Sequence, residues 1–360
     1  MKHKPIHILA FNVLAFLVFT TGCEWGQRPV QFDPEAVPFE RLSDYHFFRG
    51  DLAQLQPNER VLPYDLNTSL FSDYAEKKRF IWMPEDVTGT YNETTVFDLP
   101  AGTVLIKNFY YPEDFREEAS PRRILETRLL THSPEGWTGL PYVWNDDQSE
   151  AYLRRAGDEK QVEFINSRGE SVQVHYLIPN VNQCRACHAQ DGKILPIGTA
   201  ARHLNRDFDY EDGRQNQLVR WQQAGYLGDV PDPADAPRLA DARDPDSGTI
   251  DMRARAYLDI NCGHCHNPAG AAKASGLFLY SDVDHPTALG IHKPPVAAGR
   301  GTGGKSFSIV PAHPDDSILL YRMITTDPGI RMPELGRTLV DEEAVELIRE
   351  WIAGMDFEGK

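Results

Sequence analysis

The first apolar stretch of the chain covers residues 8–19, is broken only by Asn12, and ends at Thr20-Thr21-Gly22-Cys23. It is shorter than the ~20 apolar residues that a membrane-spanning helix needs. Residues 23–44 are rich in proline and acid (Phe32-Asp33-Pro34-Glu35) and predict a tether. Residues 45–180 hold short runs rich in Val, Ile, Thr and aromatics, at 78–82, 95–99, 102–111, 124–131, 137–144 and 172–178. Turn signals such as Pro100-Ala101-Gly102 and Asn145-Asp146-Asp147 separate them, so each run predicts a strand. Strands this short and this regularly spaced predict a sandwich or an open barrel.

The pattern then changes. Residues 213–225 predict one short helix with Leu218 and Trp221 on one face, and the Pro- and Asp-rich segment 230–245 predicts a linker. Residues 249–261 place Ile250, Ala254, Tyr257 and Leu258 on one helical stripe. Pro314 at a first turn predicts a helix over 315–324. Thr338 to Asp341 resembles a capping box, with Asp in place of Glu, for a helix that runs to Ala353 and stops at Gly354. The fold class expected is α+β and multidomain. Residues 45–180 form a β-rich, sandwich-like domain, 181–245 a segment that carries the first of two cysteine motifs and then the linker, and 246–360 a helical domain around the second motif.

Lys2 and Lys4 precede the first apolar run, so residues 1–22 predict an export signal. A small residue before Cys23 predicts cleavage and lipidation of that cysteine. Thr20, three positions before it, departs from the usual Leu. The compartment expected is the periplasm, with a lipid anchor in the outer membrane as the only membrane attachment. The net charge of −16 disfavours nucleic acid and anionic membrane surfaces as partners and permits docking to a basic protein surface.

Four of the five cysteines lie in two copies of one motif, Cys184-Arg185-Ala186-Cys187-His188 and Cys262-Gly263-His264-Cys265-His266. Cys-x-x-Cys-His is the attachment signature of c-type haem. Two thiols at this spacing can each form a thioether to one porphyrin vinyl group, and the histidine that follows can bind the iron. Two covalently bound haem c groups are therefore expected, with His188 and His266 as proximal ligands. Two Cys-x-x-Cys pairs can also make a zinc tetrahedron, but zinc gives no reason for a histidine after both pairs. A thioredoxin-type pair would want a βαβ context, which neither motif has.

For the second motif the order is opening helix, motif, middle helix, methionine loop and closing helix, and Met332, followed by Pro333, is the expected sixth ligand. Met323 competes but lies within a helix. For the first motif the candidates are His203, His175, Met252, Met83 and Lys193, or an open position. An open iron would bind small ligands; a filled one would relay electrons. Gly299-Arg300-Gly301-Thr302-Gly303-Gly304-Lys305-Ser306 matches the phosphate-binding pattern Gly-x4-Gly-Lys-Ser, but Pro294-Pro295 precedes it where that motif needs a buried strand. No nucleotide is expected. Arg300 and Lys305 are candidate partners for a haem propionate.

Residues 250–355 resemble cytochrome c domains of the class I and planctomycete type. The likeness rests on Tyr257-Leu258-Asp259-Ile260-Asn261-Cys262, Val310-Pro311-Ala312-His313-Pro314-Asp315-Asp316-Ser317, Arg331-Met332-Pro333-Glu334 and Ile348-Arg349-Glu350-Trp351-Ile352. His313 stands where such domains often carry an acid. With Ile178-Pro179-Asn180, Pro196-Ile197-Gly198 and Asn216-Gln217-Leu218, the whole chain is similar to a proteobacterial family of dihaem c-type cytochrome lipoproteins. That resemblance implies electron transfer between a protein donor and a protein acceptor in the periplasm. The alternatives are a haem redox enzyme of peroxidase-like type with a catalytic first haem, an electron-accepting subunit of a periplasmic dehydrogenase, and a β-domain binding module.

Overall fold

Val104, Leu105 and Ile106 are consecutive and all buried in the computed structural model of the chain, which describes residues 28–356. Successive side chains of a strand point to opposite faces, so such a run belongs to a sheet covered on both sides. The sheet has six antiparallel strands: β1 (Leu62–Tyr64), β2 (Glu76–Trp82), β3 (Val104–Pro112), β4 (Arg122–Ser133), β5 (Gly136–Trp144) and β6 (Ala151–Leu153). Their order across the sheet is their order in the chain. A separate hairpin follows, β7 (Asp158–Ile165) with β8 (Ser171–Ile178), in the register Val162 opposite Val174. Cys23 and the apolar run before it lie outside the described residues.

This is one meander with covers, neither the expected sandwich nor an open barrel. One face, with Phe80, Ile106, Leu129, Leu140 and Trp144, is closed by Tyr45, Phe47, Phe48 and Val61. Val30 and Phe32 pack against the same cluster, so the part of the supposed tether from residue 28 onward is docked. Its backbone also joins the sheet edge, where Leu153 N donates to Glu40 O at 2.9 Å. Scattered apolar residues among prolines were enough to seat it.

The other face has two apolar ends. Ile81, Leu105 and Trp137 pack with Ala201, Leu204, Leu218 and Trp221. Phe109 and Val143 pack beneath the hairpin through Val162, Phe164, Val174 and Tyr176. A fully buried side chain of this size contributes ~1.5–3 kcal/mol. Residues 181–245 thus share a core with the sheet, and 230–245 do not hang free. Ala236, Ala240 and Ala242 are buried, and Thr68 Oγ1 donates to Ala240 O at 2.8 Å.

The longer helices are α1 (Val181–His188), α2 (Gln217–Gln223), α3 (Ile250–Leu258), α4 (Ile318–Ile324) and α5 (Glu342–Ala353). Residues 213–216 pair as a strand, and Asn216 caps α2. Pro314–Asp316 makes a 3-10 turn before α4. The cap of α5 is Asp341, which accepts from Ala344 N at 3.2 Å, because Thr338 is drawn to Asp73. Ala254, Tyr257 and Leu258 of α3 pack with Leu320, Leu347, Ile348 and Trp351 in a third core. The molecule is a mixed α and β fold, strand-rich toward its N-terminus. Among the described residues no helix is long and apolar enough to cross a membrane.

Candidate functional site

Asn180 opens α1 with a reciprocal capping box: its side chain accepts from Gln183 N, and Gln183 Oε1 accepts from Asn180 N, both at 2.9 Å. The helix carries Cys184 and Cys187 three residues apart, hence on one side. Cys184 lies on β5 where Gly139 leaves room; a Cβ at Gly139 would stand 3.0 Å from Cys184 Cβ. His188 ends the helix, and its Nδ1 lies 2.7 Å from Leu195 O. As a donor there, Nδ1 fixes the ring and leaves Nε2 as the acceptor. Burial pushes the His188 pKa down to about 4, so the imidazole is neutral at pH 7 and its lone pair is available.

The second motif begins where α3 widens into a π-turn, Asp259–Gly263, which carries Cys262. Such widenings are frequent at functional sites. Gly263 is required by close approach: a Cβ there would stand 2.6 Å from the Tyr280 ring. His266 repeats the arrangement of His188. Its ring bonds the backbone of Leu277, its Nδ1 is 3.5 Å from Ser275 Oγ, and burial lowers its pKa. Burial pushes the Cys262 and Cys265 thiols up to about 12 and raises Cys184 and Cys187 as well. These are not the low-pKa thiolates of a redox-active pair.

Met332 lies half-buried on a loop pinned at both backbone ends. Its N–H donates to Arg322 O at 2.9 Å, and its C=O accepts from Arg337 Nε at 3.0 Å. Arg322, whose carbonyl holds the Met332 amide, lowers the His266 pKa. Met323 packs in the third core instead.

The two motifs, 74 positions apart at their histidine-to-cysteine junction (188 to 262), dock directly on each other. Asp191 N donates to Ala269 O at 2.8 Å, Gln190 pairs with Gly270 as a backbone bridge, and Lys273 Nζ meets Asp191 at 3.2 Å. The charge of His264 depresses the pKa of His188, and Cys187 raises that of Cys265, so the motifs face one another closely.

Buried Asp259 locks this junction. Arg202 Nε and Nη2 both reach its carboxylate at 3.1 Å, and Ser281 N donates to it at 2.8 Å. His203 Nε2 lies 3.1 Å from Asp259 Oδ1 but off the line of a good hydrogen bond. Burial alone would raise the Asp259 pKa; His203 and Arg202 outweigh it and hold the carboxyl well below the usual range. A cavity of about 320 Å³ lies beside the second motif, lined by residues 94–98 and by Leu195, Arg202, His203, Asp259, His264 and Tyr280. His264 is buried with Nδ1 3.2 Å from Ile260 O. In the sequence Asp259 shows only as an acid on an otherwise apolar stripe, and His264 only as a variable motif position.

The residues weighed as a ligand opposite His188 are scattered. His175 is exposed and meets Glu159 at 2.9 Å. His132, beside a turn and expected to be a surface or core residue, stacks on Trp137 at 4.4 Å. Met83 is fully buried in an apolar core, and Met252 and Lys193 are exposed. His203 is turned to Asp259. The Gly299–Thr302 segment is a 3-10 turn; Arg300 pairs with Asp327 at 3.2 Å, and Lys305 bonds Asp315 O.

The donor set fits covalent porphyrins. All four motif thiols are free, and both motif histidines are neutral and oriented through one nitrogen. Among the described residues no group of three or more His, Cys, Asp or Glu is placed to hold a metal ion, so the thiols do not assemble a zinc tetrahedron. Comparison with known proteins finds no matching family model, no matching curated protein and no matching solved structure.

Proposed function

We propose that the chain is a periplasmic dihaem c-type cytochrome, anchored by a lipid on Cys23, that passes electrons between protein redox partners. The observation that carries this reading is the direct docking of two Cys-x-x-Cys-His motifs, each with its histidine held through one ring nitrogen. Each haem, when bound, supplies an iron that takes up and releases one electron.

The chain's own residues do the rest. Cys184 and Cys187 would hold one porphyrin, and Cys262 and Cys265 the other. The Leu195 carbonyl orients His188, and the backbone of Leu277 orients His266. Met332 would complete the second site, where a thioether favours the reduced iron and raises the potential. The packing of α3 on α5 beside this motif agrees with the resemblance to class I domains. The Asp259–Arg202 clamp holds the two sites at a fixed separation. The acidic surface suits partners with a basic patch.

One observation favours a second reading, a haem redox enzyme of peroxidase-like type. The cavity beside Leu195 holds buried His203, whose ring nitrogens make no good hydrogen bond. Optical and EPR spectra of the holoprotein, oxidised and reduced, with and without carbon monoxide, decide between them. Two low-spin signals that ignore carbon monoxide are the expected result. A high-spin component that carbon monoxide shifts would replace the relay with the enzyme.

A further inference from the structure

The covered face of the sheet carries a row of cations between its two apolar ends. The register sets Arg79 opposite Lys107 and Lys107 opposite Arg128, with Pro141 next in line. The row above holds Ile81, Leu105, Leu130 and Gly139, and the row below holds Lys77, Phe109, Glu126 and Val143. Residues two apart share a face, so Gly139, on which Cys184 rests, and the cations look the same way. The first motif therefore docks over this row.

Two of the three cations are answered. Arg79 pairs with Asp65, and Arg128 holds Glu126 through Nε at 2.8 Å and Nη2 at 2.6 Å, leaving its Nη1 edge to donate elsewhere. Lys107 has no carboxylate within ion-pair distance among the described residues; its Nζ lies over the Phe109 ring at 4.8 Å. Lys107 is partly buried, and a cation drawn out of water without a counter-charge is costly. Burial first, and then Arg79, Lys77 and Arg128, push its pKa well below the ordinary range. Cys184 rests on Gly139, two residues from Pro141 at the end of the Lys107–Arg128 row, so the unanswered charge belongs to the first motif's surroundings.

We infer that Lys107, with the free edge of Arg128, holds the carboxylates of the porphyrin attached at Cys184 and Cys187. The assignment rests on the dihaem reading above. Two strand spacings of ~4.8 Å and one two-residue step of ~6.8 Å place the Lys107 Cα ~12 Å from that of Gly139. The carboxylates of a c-type porphyrin sit on the edge opposite its thioethers, so a binder is wanted across the macrocycle from Cys184, not beside it. Arg300 and Lys305, the basic residues of the glycine-rich loop, are already engaged.

The test is a potentiometric titration of the holoprotein, with both haems followed optically, for the parent, Lys107→Met and Lys107→Arg. A nearby cation favours the reduced iron. Lys107→Met is therefore expected to lower one midpoint potential and leave the other in place, and Lys107→Arg to restore it. Lys107→Gln keeps the stem on Phe109 and is read in the same way if Lys107→Met does not accumulate. Unchanged potentials in a variant that carries both haems overturn the assignment and leave the dihaem reading standing. A parent protein that matures without haem sinks that reading itself. A parent potential that moves with chloride or phosphate concentration, where that of Lys107→Met does not, assigns the site to a free anion and also overturns the inference.

Discussion

Asp259 has three neighbours presenting four nitrogens to its two oxygens: Arg202 through two of them, His203 and the Ser281 amide. Its carboxylate is buried, so His203 and the Arg202 guanidinium are what keep it ionised. Replacing it with Asn leaves the Arg202 charge without a carboxylate, and breaking such a pair costs ~3–5 kcal/mol. Chemical denaturation of Asp259→Asn at pH 7 should show a loss of that order. The pH dependence follows from the depressed pKa of the folded state. The carboxylate contributes stability that is present above the unfolded value of ~3.9 and lost as the pH falls through the folded one. The gap between parent and variant should therefore narrow below about pH 4. A gap that stays constant down to about pH 2.5, roughly 1.4 units below the unfolded value, would mean that the carboxylate is not held by charge. Lys107 is the other residue whose environment decides its role. In Leu105-Ile106-Lys107-Asn108-Phe109 a lone lysine in an apolar strand reads as an outward-facing side chain, and only the register reveals the cationic row.

At the scale of elements, α1 reaches the sheet because β5 has no side chain at Gly139. Gly139→Val would raise the β-propensity of the strand and yet push α1 away, since its Cβ would meet Cys184 Cβ at 3.0 Å. Overpacking of this kind costs ~1–3 kcal/mol. The expected outcome is a protein that still folds and loses the first covalent haem, read as a fall from two haems to one by haemochrome assay and intact mass. Retention of both haems would show that α1 need not sit on β5. The strands at 78–82, 102–111, 124–131, 137–144 and 172–178 were legible because β-formers alternate with turn residues there. The helices at 250–258 and 342–353 were legible from their apolar stripes. The limits of shorter elements were not. Thr338 has cap chemistry, but Asp73 takes both its amide and its hydroxyl, so Asp341 caps instead. No window of the sequence around residue 338 contains Asp73.

For the whole molecule, the two motifs name a candidate cofactor from five residues each, but their separation in space depends on contacts that no local pattern encodes. Gln190 meets Gly270, Asp191 meets Ala269, and Arg202 meets Asp259 only because residues 181–245 are folded between the sheet and the helical region. The same holds for residues 28–44, whose Val30 and Phe32 find the sheet despite a tether-like composition. Met332 and Met323 differ in local pattern alone: one follows a helix on a proline-flanked loop, the other lies inside a helix and packs in its core. The dihaem account commits the molecule to two porphyrins held by four thioethers. The most direct test is the intact mass and haemochrome spectrum of protein exported from a host with a working haem-attachment system, alongside Cys184→Ala/Cys187→Ala and Cys262→Ala/Cys265→Ala. The account predicts the mass of two haems on the parent and of one on each double variant. A parent that carries no covalent haem, or holds zinc on its thiols, would contradict it.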